Sequence, residues 1–491
     1  MSLRQRLSAR SVLPWLAALF GAFVFSMWFG MNSDRDNVHP LLNQLIPAGH
    51  CACQQSTTFN CSSCLAPLYD PISSANESSQ QWTFQYGRDD RNEGLHRDQC
   101  QAAFPGLFED INRAVEFWKS RGGITRRDLD KISLRNGMAR GMIYEGELRA
   151  LETKAAQEDH RRKILAIFSA IHRALPLDRS DLPNIEFIFS IEDKVEDVLG
   201  NGQPLWTLGR TATEESVWLM PDFGFWAWDN PRISIGPYSE VVGRIKKRED
   251  TIPWSSKEKK LVWRGKLSFA PKLRRRLLEV AKSKPWGDVK ELVWSRKDNL
   301  ISMEDHCRYM FIAHVEGRAF SSSLKYRQAC RSVIVAHKLQ FLQHHHYLLQ
   351  ADGPQQNYVE VERDFSDLSQ KIEELLADEA RARLIADNNV RVFRERYLTK
   401  AAEACYWREL MNGWAEVFSN NDNNTRNKGD GNNGTRNNNN NNNNNSNSGG
   451  GGAQPDTADA PDTWAPDGLG VRYESFILLE SKDMMLFSDR A

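Results

Sequence analysis

The sequence lacks any excess of charge of one sign. Its 491 residues carry 64 Lys and Arg against 64 Asp and Glu, so the formal net charge is zero. That balance argues against a basic protein that binds nucleic acid, and we expect no nucleic-acid partner. No sequence repeat with a period of ~20–50 residues is present either, which argues against solenoid and propeller architectures.

Three common catalytic motifs are also missing. The chain has no Gly-x-x-x-x-Gly-Lys-Ser/Thr phosphate loop, no Gly-x-Gly-x-x-Gly after a predicted strand and no Gly-x-Ser-x-Gly nucleophile elbow. Their absence argues against the usual nucleotide-loop enzymes and against a common type of esterase.

Patterns of metal ligands are few, and each has a structural explanation. Asp34 and Asp36 adjoin an apolar segment, while Asp128 and Asp130 lie in a predicted first helical turn, where acids suit the helix dipole. On any regular backbone the side chains of the consecutive histidines 344–346 point in different directions, so they are poorly placed to share a metal ion. A polar loop or a helix end is the favoured interpretation. We therefore predict no metal site.

One long apolar run stands near the N-terminus. Residues 13–31 contain no charged side chain, and three arginines precede them. This length is just sufficient to cross a bilayer, and the positive flank favours a cytoplasmic tail of residues 1–12. We expect an uncleaved type II anchor in the Golgi or endoplasmic reticulum membrane, with the rest of the chain in the lumen. A cleaved signal peptide is the alternative.

The cysteines fit an oxidising compartment, because all eight follow the apolar run. Cys51, Cys53, Cys61 and Cys64 predict a disulfide-linked stem, with a zinc site as the alternative. Five Asn-x-Ser/Thr sites lie in polar, loop-like sequence and suit glycosylation in the lumen.

Composition divides the chain into segments. Residues 32–105 form a polar stem, and the following residues to 418 are dense in aliphatic and aromatic side chains. Residues 419–468 include nine consecutive asparagines and predict a disordered linker. Residues 469–491 form a short tail, with one strand or helical turn, whose role the sequence does not reveal.

Helical and strand patterns alternate between residues 106 and 418, which predicts an α/β fold of two lobes. The first, 106–250, is the acceptor lobe, and the second, 251–418, comprises the donor lobe and a return helix. Strands are predicted around residues 184–191, 217–220, 261–263, 292–294, 332–336 and 358–361. Helices are predicted around 108–118, 129–151, 164–175, 271–283, 303–314, 366–376 and 378–393. In such folds ligands bind at the carboxyl ends of the strands.

Three segments carry candidate binding groups. Phe225, Trp226 and Trp228 belong either to the core or to a cleft wall that stacks on an acceptor sugar ring. Arg264 ends a predicted strand, where its guanidinium suits a phosphate, or it is a surface arginine before a turn glycine. Residues 316–326 form a loop of small and hydroxyl residues that suits a diphosphate, or an ordinary helix cap.

These segments, taken in order, resemble the glycosyltransferase family 90 domain of fungal capsule xylosyltransferases and animal protein O-glucosyltransferases. The likeness covers roughly residues 181–418 and rests on Pro-Asp-Phe-Gly-Phe-Trp, Trp-Arg-Gly, Asp-His-Cys-Arg-Tyr and Glu-Gly-x-Ala-x-Ser. It implies a GT-B pair of Rossmann-like lobes and an inverting, metal-independent transfer from a UDP-sugar, with xylose or glucose expected. The acceptor is then a glycan or protein hydroxyl, and no cofactor is needed.

The resemblance also assigns roles by position. Asp193 matches the catalytic carboxylate, and Arg264 matches the arginine that binds the donor phosphates. The remaining donor-binding positions are Gly317, Ala319, Ser321 and Lys325. A disulfide between Cys307 and Cys330 would hold this segment.

One departure from the family pattern affects the donor loop. Many members carry arginine where this chain has Ser323, so Arg318 and Arg327 are the candidate replacements. A rival interpretation is therefore a catalytically degenerate lumenal sugar-binding or scaffold protein of the same fold.

Overall fold

The computed structural model describes residues 82–179, 182–194, 202–228, 235–293, 299–419 and 468–488, with side chains to residue 480 in the last range. The predicted cytoplasmic tail, the membrane anchor and most of the stem lie outside these ranges. So do nearly all of the predicted linker and the four cysteines of the stem, Cys51, Cys53, Cys61 and Cys64. None of the helices within the described ranges is both long enough and apolar enough to cross a membrane.

The strands are numbered in chain order. Two short pairs lie outside the large sheets, β1 (Ile124–Thr125) with β14 (Phe418–Ser419) and β6 (Arg210–Thr211) with β12 (Phe341–Leu342). The first large sheet has six strands in the order β15-β3-β2-β4-β5-β7. Its strands are β2 (Met138–Tyr144), β3 (Glu147–Lys154), β4 (Ile185–Ser190), β5 (Leu205–Thr207), β7 (Val217–Leu219) and β15 (Val471–Arg472). Of its neighbouring pairs, β4–β5 and β5–β7 are parallel and the other three are antiparallel. The strands predicted near residues 184–191 and 217–220 are thus confirmed, whereas this sheet is mixed and not of the fully parallel Rossmann type.

The helix predicted over residues 129–151 is wrong. A short helix, Arg126–Asp130, is followed by the antiparallel hairpin of β2 and β3. Glu145 and Gly146 form its two-residue turn with φ angles of 49° and 74°. Two successive positive φ values are what a tight hairpin turn requires, so a local turn overrides the apparent helical spacing.

The second large sheet has five parallel strands in the order β13-β11-β10-β8-β9. They are β8 (Glu258–Gly265), β9 (Gly287–Glu291), β10 (Tyr309–His314), β11 (Val333–His337) and β13 (Val359–Val361). Successive residues point to opposite faces. Leu261 and Phe311 accordingly enter one core, while Val262 and Ile312 enter the other. The sheet is therefore buried on both faces, which explains its unbroken apolar strands.

The helix predicted over residues 303–314 is also wrong. A single 3₁₀ turn, Glu304–Arg308, leads into β10, the central strand of the second sheet. All six residues of β10 are buried. A fully buried strand shows no alternation of polar and apolar residues, so its pattern resembles that of a buried helix.

Helices cover both sheets, and five of the seven predicted helices are present. The remaining helices in chain order are α1 (Arg97–Ala103), α2 (Glu109–Lys119), α3 (Arg126–Asp130), α4 (Glu158–Ala174), α5 (Tyr238–Glu249), α6 (Pro271–Ala281), α7 (Leu324–Gln328), α8 (Leu368–Ala377), α9 (Glu379–Val392), α10 (Lys400–Ala415) and α11 (Tyr473–Ser488). A five-residue π-helix, Phe393–Tyr397, connects the second sheet's helices to α10.

The long helix α10 returns to the first sheet. Trp414 lies with its ring centroid 5.6 Å from that of Trp206 and 5.3 Å from that of Trp218. Its indole N–H donates to the carbonyl of Glu186 in β4 at 3.0 Å. Helix α10, near the C-terminal end of the globular sequence, therefore completes the hydrophobic core of the first sheet.

Two disulfides tie distant parts of the fold. Cys100 pairs with Cys405, which links α1 to α10, and Cys307 pairs with Cys330 across 23 residues. The second pair joins the segment before β10 to the residues just after α7 and agrees with the pairing proposed from the sequence.

Candidate functional site

A cavity of about 940 Å³ opens beside the carboxyl ends of β8 and β10. From the side of the first sheet it is lined by Lys163, Asp193, Phe223 and Trp228. From the side of the second sheet it is lined by Arg264, Gly317, Ser321 and their neighbours. The structure therefore brings together five residues that the sequence had proposed for one site: Asp193, Trp228, Arg264, Gly317 and Ser321.

Asp193 follows β4 by three residues and faces the cavity. The cavity walls remove part of the water around its carboxylate, which raises its pKa, and Asp159 adds to the rise. Lys163 and Arg318 lower the pKa and only partly offset that effect. A carboxylate of raised pKa at a cavity mouth is suited to accepting a proton.

Arg264 stands at the end of β8, where its guanidinium donates to both carboxylate oxygens of Asp288, at 3.0 and 2.9 Å. Burial raises the pKa of Asp288, but hydrogen bonds from Arg264, Tyr309 and Lys290 hold it below its usual range. The Nε of Arg264 is buried and has no hydrogen-bond partner within the described residues. Arg264 is thus oriented by Asp288 at the cavity wall.

The buried carboxylate of Glu316 anchors the loop after β10 through hydrogen bonds to neighbouring segments. One oxygen of this buried carboxylate accepts the backbone N–H groups of Gln340 and Phe341, at 2.8 and 2.9 Å, and the other accepts Arg363. Gly317 then passes close to Arg274, since a Cβ at this position would lie 3.3 Å from Nη2 of that arginine. A side chain at residue 317 would crowd the cavity wall.

Two donor-loop assignments need correction. Ala319 is fully buried in the first core and does not line the cavity. Lys325 is 1% exposed, and its ammonium group donates to both oxygens of Asp222, at 2.7 and 2.8 Å. A buried ammonium group is stable only with such a partner, so Lys325 is committed to Asp222 and does not face the cavity.

The three aromatic residues predicted to bind the acceptor, Phe225, Trp226 and Trp228, lie in different environments. Phe225 is buried and packs on Tyr238 and His344, so it belongs to the core. Trp226 lies under the guanidinium of Arg173, 4.9 Å from its ring centroid, and does not line the cavity. Of the three predicted acceptor-binding aromatics, only Trp228 lines the cavity, together with Phe223, which was not singled out from the sequence.

Several other cavity residues were missed because they come from separate elements. Phe269 is a 39% exposed aromatic residue beside Lys266, Arg274 and Arg318, whose cationic groups lie 5.0 to 5.7 Å from its ring centroid. The sequence offered one signal for this wall, because Lys266 and Phe269 closely follow the Arg264-Gly265 turn. The cavity wall is thus both aromatic and basic.

The three consecutive histidines are buried, so the expected polar loop is wrong. His346 begins a short 3₁₀ helix, His346–Leu348, which agrees with the alternative of a helix end. Burial lowers the pKa of His344 to about 3 and that of His346 to about 4. His345 is also buried, and its pKa lies well below the ordinary value. No group of His, Cys, Asp and Glu side chains placed to hold a metal ion occurs in the part of the chain that the structure describes.

The fold and this cavity define a mixed α/β protein with a basic, partly aromatic binding site opposite an exposed carboxylate. Its sequence matches glycosyl transferase family 90 over residues 96–430. The chain belongs to this family.

Curated relatives carry O-glucosyltransferase names. The O-glucosyltransferase rumi of Drosophila pseudoobscura pseudoobscura is 26% identical over 271 residues, covering 50% of this chain and 64% of that protein. A rumi homolog of Aedes aegypti is 26% identical over 320 residues, covering 59% and 77%. Human protein O-glucosyltransferase 1 is 21% identical over 346 residues, covering 64% and 86%. The chain thus spans less than two thirds of the length of the first of these relatives.

Proposed function

We propose that the protein is an inverting glycosyltransferase of GT-B type that transfers a sugar from a UDP-sugar to a hydroxyl group of a protein or glycan. The observation that carries this proposal is the placement of Asp193 on the same cavity as Arg264 and the Gly317 loop. A proton acceptor and a phosphate-binding wall are the two elements that such a transfer needs. The relatives' names favour glucose as the sugar, with xylose as the other expected donor.

The donor binds along the carboxyl ends of β8 and β10. Arg264 presents its guanidinium to the diphosphate while Asp288 keeps it in place. The hydroxyl of Ser321 and the open backbone at Gly317 lie beside it. Basic side chains take the role that a divalent cation has in other nucleotide-sugar enzymes, so we propose that catalysis needs neither a metal nor a cofactor.

Chemistry takes place between Asp193 and the donor. The carboxylate removes the proton from the acceptor hydroxyl, and the acceptor oxygen forms a bond to the anomeric carbon. The bond from that carbon to the β-phosphate oxygen breaks, and UDP leaves with its new charge near Arg264. Because the attack comes from the side opposite to the leaving group, the configuration of the sugar inverts.

The acceptor enters from the first lobe, residues 106–250, while the lobe 251–418 holds the donor. Phe223 and Trp228 supply flat apolar surface on the acceptor side, where a sugar ring or a peptide backbone can stack. We also propose a type II orientation, with residues 13–31 in the Golgi or endoplasmic reticulum membrane. The two disulfides support a lumenal body.

The test uses the purified lumenal protein with a panel of UDP-sugars. We expect UDP binding by calorimetry, slow donor hydrolysis for one or two sugars, and most activity retained in EDTA. A protein that binds free sugars but neither UDP nor any UDP-sugar would instead be a degenerate lectin or scaffold. Loss of activity in EDTA with recovery on addition of Mn²⁺ would contradict the metal-independent mechanism.

A further inference from the structure

Two buried arginines line the cavity without a carboxylate partner. Arg274 and Arg327 are 6% and 7% exposed, and neither forms an ion pair within the described residues. Arg274 donates to the carbonyls of Glu316 and Lys266, at 3.0 and 2.6 Å. Its charge is therefore hydrogen-bonded but not neutralised.

Arg327 has even fewer contacts. It lies on α7, and its Nη1 stands 3.4 Å from Nδ1 of the buried His314. The neighbouring Lys325 is neutralised by Asp222, so that carboxylate is already committed. His306, the other imidazole beside Arg327 at the cavity, is held neutral by burial and by the nearby arginines, with its pKa lowered to about 4.

This arrangement of two buried like charges is unfavourable by itself. Burial lowers the pKa of Arg327 to about 9, and repulsion from Arg274 adds to the effect. Burial likewise lowers the pKa of Arg274 to about 10. A buried guanidinium with no counter-charge is costly, so two on one wall indicate that an anion completes the site.

We propose that Arg327, supported by Arg274, binds the diphosphate of the nucleotide sugar, an inference that rests on the proposed function. Ser323 lies four residues earlier and also lines the cavity. Residues four apart share one face of a helical turn, so a guanidinium at residue 327 reaches the same wall as one at residue 323. Arg327 thus supplies the positive charge that Ser323 does not.

The experiment compares UDP with uridine as calorimetric probes of the purified full-length protein. Arg327→Met removes the charge but keeps much of the side-chain volume. We expect its UDP dissociation constant to rise about 10- to 150-fold, the range for a lost charge-assisted hydrogen bond. Uridine lacks phosphate, so its affinity should change less than twofold. Arg327→Lys should recover part of the UDP affinity.

Two further variants sharpen the result. Arg308→Met is the matched control, because Arg308 pairs with Glu258 on the surface and does not line the cavity; its UDP affinity should equal that of the wild type. Adding Ser323→Arg to Arg327→Met returns a guanidinium to the wall one turn earlier and should restore UDP binding at least fivefold. The melting temperature of ligand-free Arg327→Met should be equal to or higher than that of the wild type.

The possible failures are separable. If the wild-type protein binds no UDP, the proposed function itself is wrong. If the wild type binds UDP and Arg327→Met binds it equally well, only the assignment of Arg327 is overturned. A variant that loses UDP and uridine affinity in the same proportion would also overturn it, because the effect would then not be specific to phosphate.

Discussion

At the scale of single residues, the site depends on which charges are already neutralised. Lys325 and Asp222 neutralise each other in the interior, whereas Asp193 is exposed to the cavity. Arg264 is shared between Asp288 and the open cavity. Residue type alone therefore does not identify a ligand-binding cation. The deciding features are whether the cationic group lines the cavity in the folded chain and whether a carboxylate already neutralises it.

Replacing Asp193 by Asn tests its role as the general base. The amide keeps the shape but accepts no proton, so we expect turnover to fall about 10²- to 10⁴-fold while UDP affinity changes little. Initial rates and UDP calorimetry measure the two effects. Glu192→Gln is the control, because Glu192 pairs with His160 and does not line the cavity. Near-normal turnover of Asp193→Asn would remove Asp193 as the base.

Replacing Arg264 by Ala should weaken UDP binding about 10- to 150-fold, because a charge-assisted hydrogen bond is lost. Arg264→Lys should recover only part, since an ammonium group does not reproduce the planar fork. Calorimetry with UDP gives the affinities. Arg308→Ala controls for the loss of an arginine, because Arg308 pairs with Glu258 of the same strand as Arg264 but does not line the cavity. If Arg264→Ala lowers the melting temperature without weakening UDP binding, its pairing with Asp288 is purely structural.

At the scale of elements, the C-terminal segment has a structural place that its sequence did not reveal. Strand β15 pairs with β3 at the edge of the first sheet, and α11 packs on α4. Phe476 meets Phe168 with ring centroids 5.7 Å apart, and Tyr473 stacks on His172 at 4.3 Å. Glu480 forms an ion pair with Arg161. The tail therefore covers a sheet edge and a helix face.

Deleting residues 468–491 should lower the melting temperature by several degrees without weakening UDP binding. Full burial of one aromatic side chain contributes roughly 1.5–3 kcal/mol, and none of residues 468–480, whose side chains the structure describes, lines the cavity. Differential scanning fluorimetry and UDP calorimetry measure the two quantities. Within the full chain, Phe476→Ala should destabilise more than Leu479→Ala, because Leu479 is 57% exposed. Equal effects of the two substitutions would contradict the docking of α11 on α4.

Some elements were predictable because their pattern is local. The amphipathic spacing of Ile111, Val115 and Trp118 reports α2, and the β-branched and aromatic run before Ser190 reports β4. The hairpin of β2 and β3 was missed because the apolar residues of this segment are spaced as in a helix. The tight turn at Glu145 and Gly146, which decides the structure, was not recognised in the sequence. Strand β10 was missed because both of its faces are buried.

At the scale of the whole molecule, a group of buried neutral histidines makes stability depend on pH. Burial lowers the pKa values of His306 and His346 to about 4 and that of His344 to about 3, from an ordinary 6.5. The unfolded chain takes up protons near pH 6.5, whereas the folded chain resists them to these lower values. Stability is therefore fully present above pH 6.5 and is lost as pH falls through the folded values.

We expect the free energy of unfolding to decrease steeply between pH 6.5 and pH 5, by about 1.4 kcal/mol per pH unit for each such histidine. Urea unfolding at several pH values measures the slope. His346→Phe should reduce the slope by roughly one proton, since its ring is buried. A free energy that stays constant between pH 7 and pH 5 would contradict the burial of these rings in neutral form.

The sequence by itself determined the α/β class, the family and five of the eleven described helices, because these depend on local periodicity and on motifs read in order. It also placed Asp193, Arg264, Gly317, Ser321 and Trp228 in one site. Only the tertiary structure decided that Lys325 and Phe225 are interior residues, and that Arg274 and Arg327 face the cavity without a carboxylate. These distinctions depend on contacts between residues about a hundred positions apart, such as Asp222 with Lys325, and no local pattern contains them.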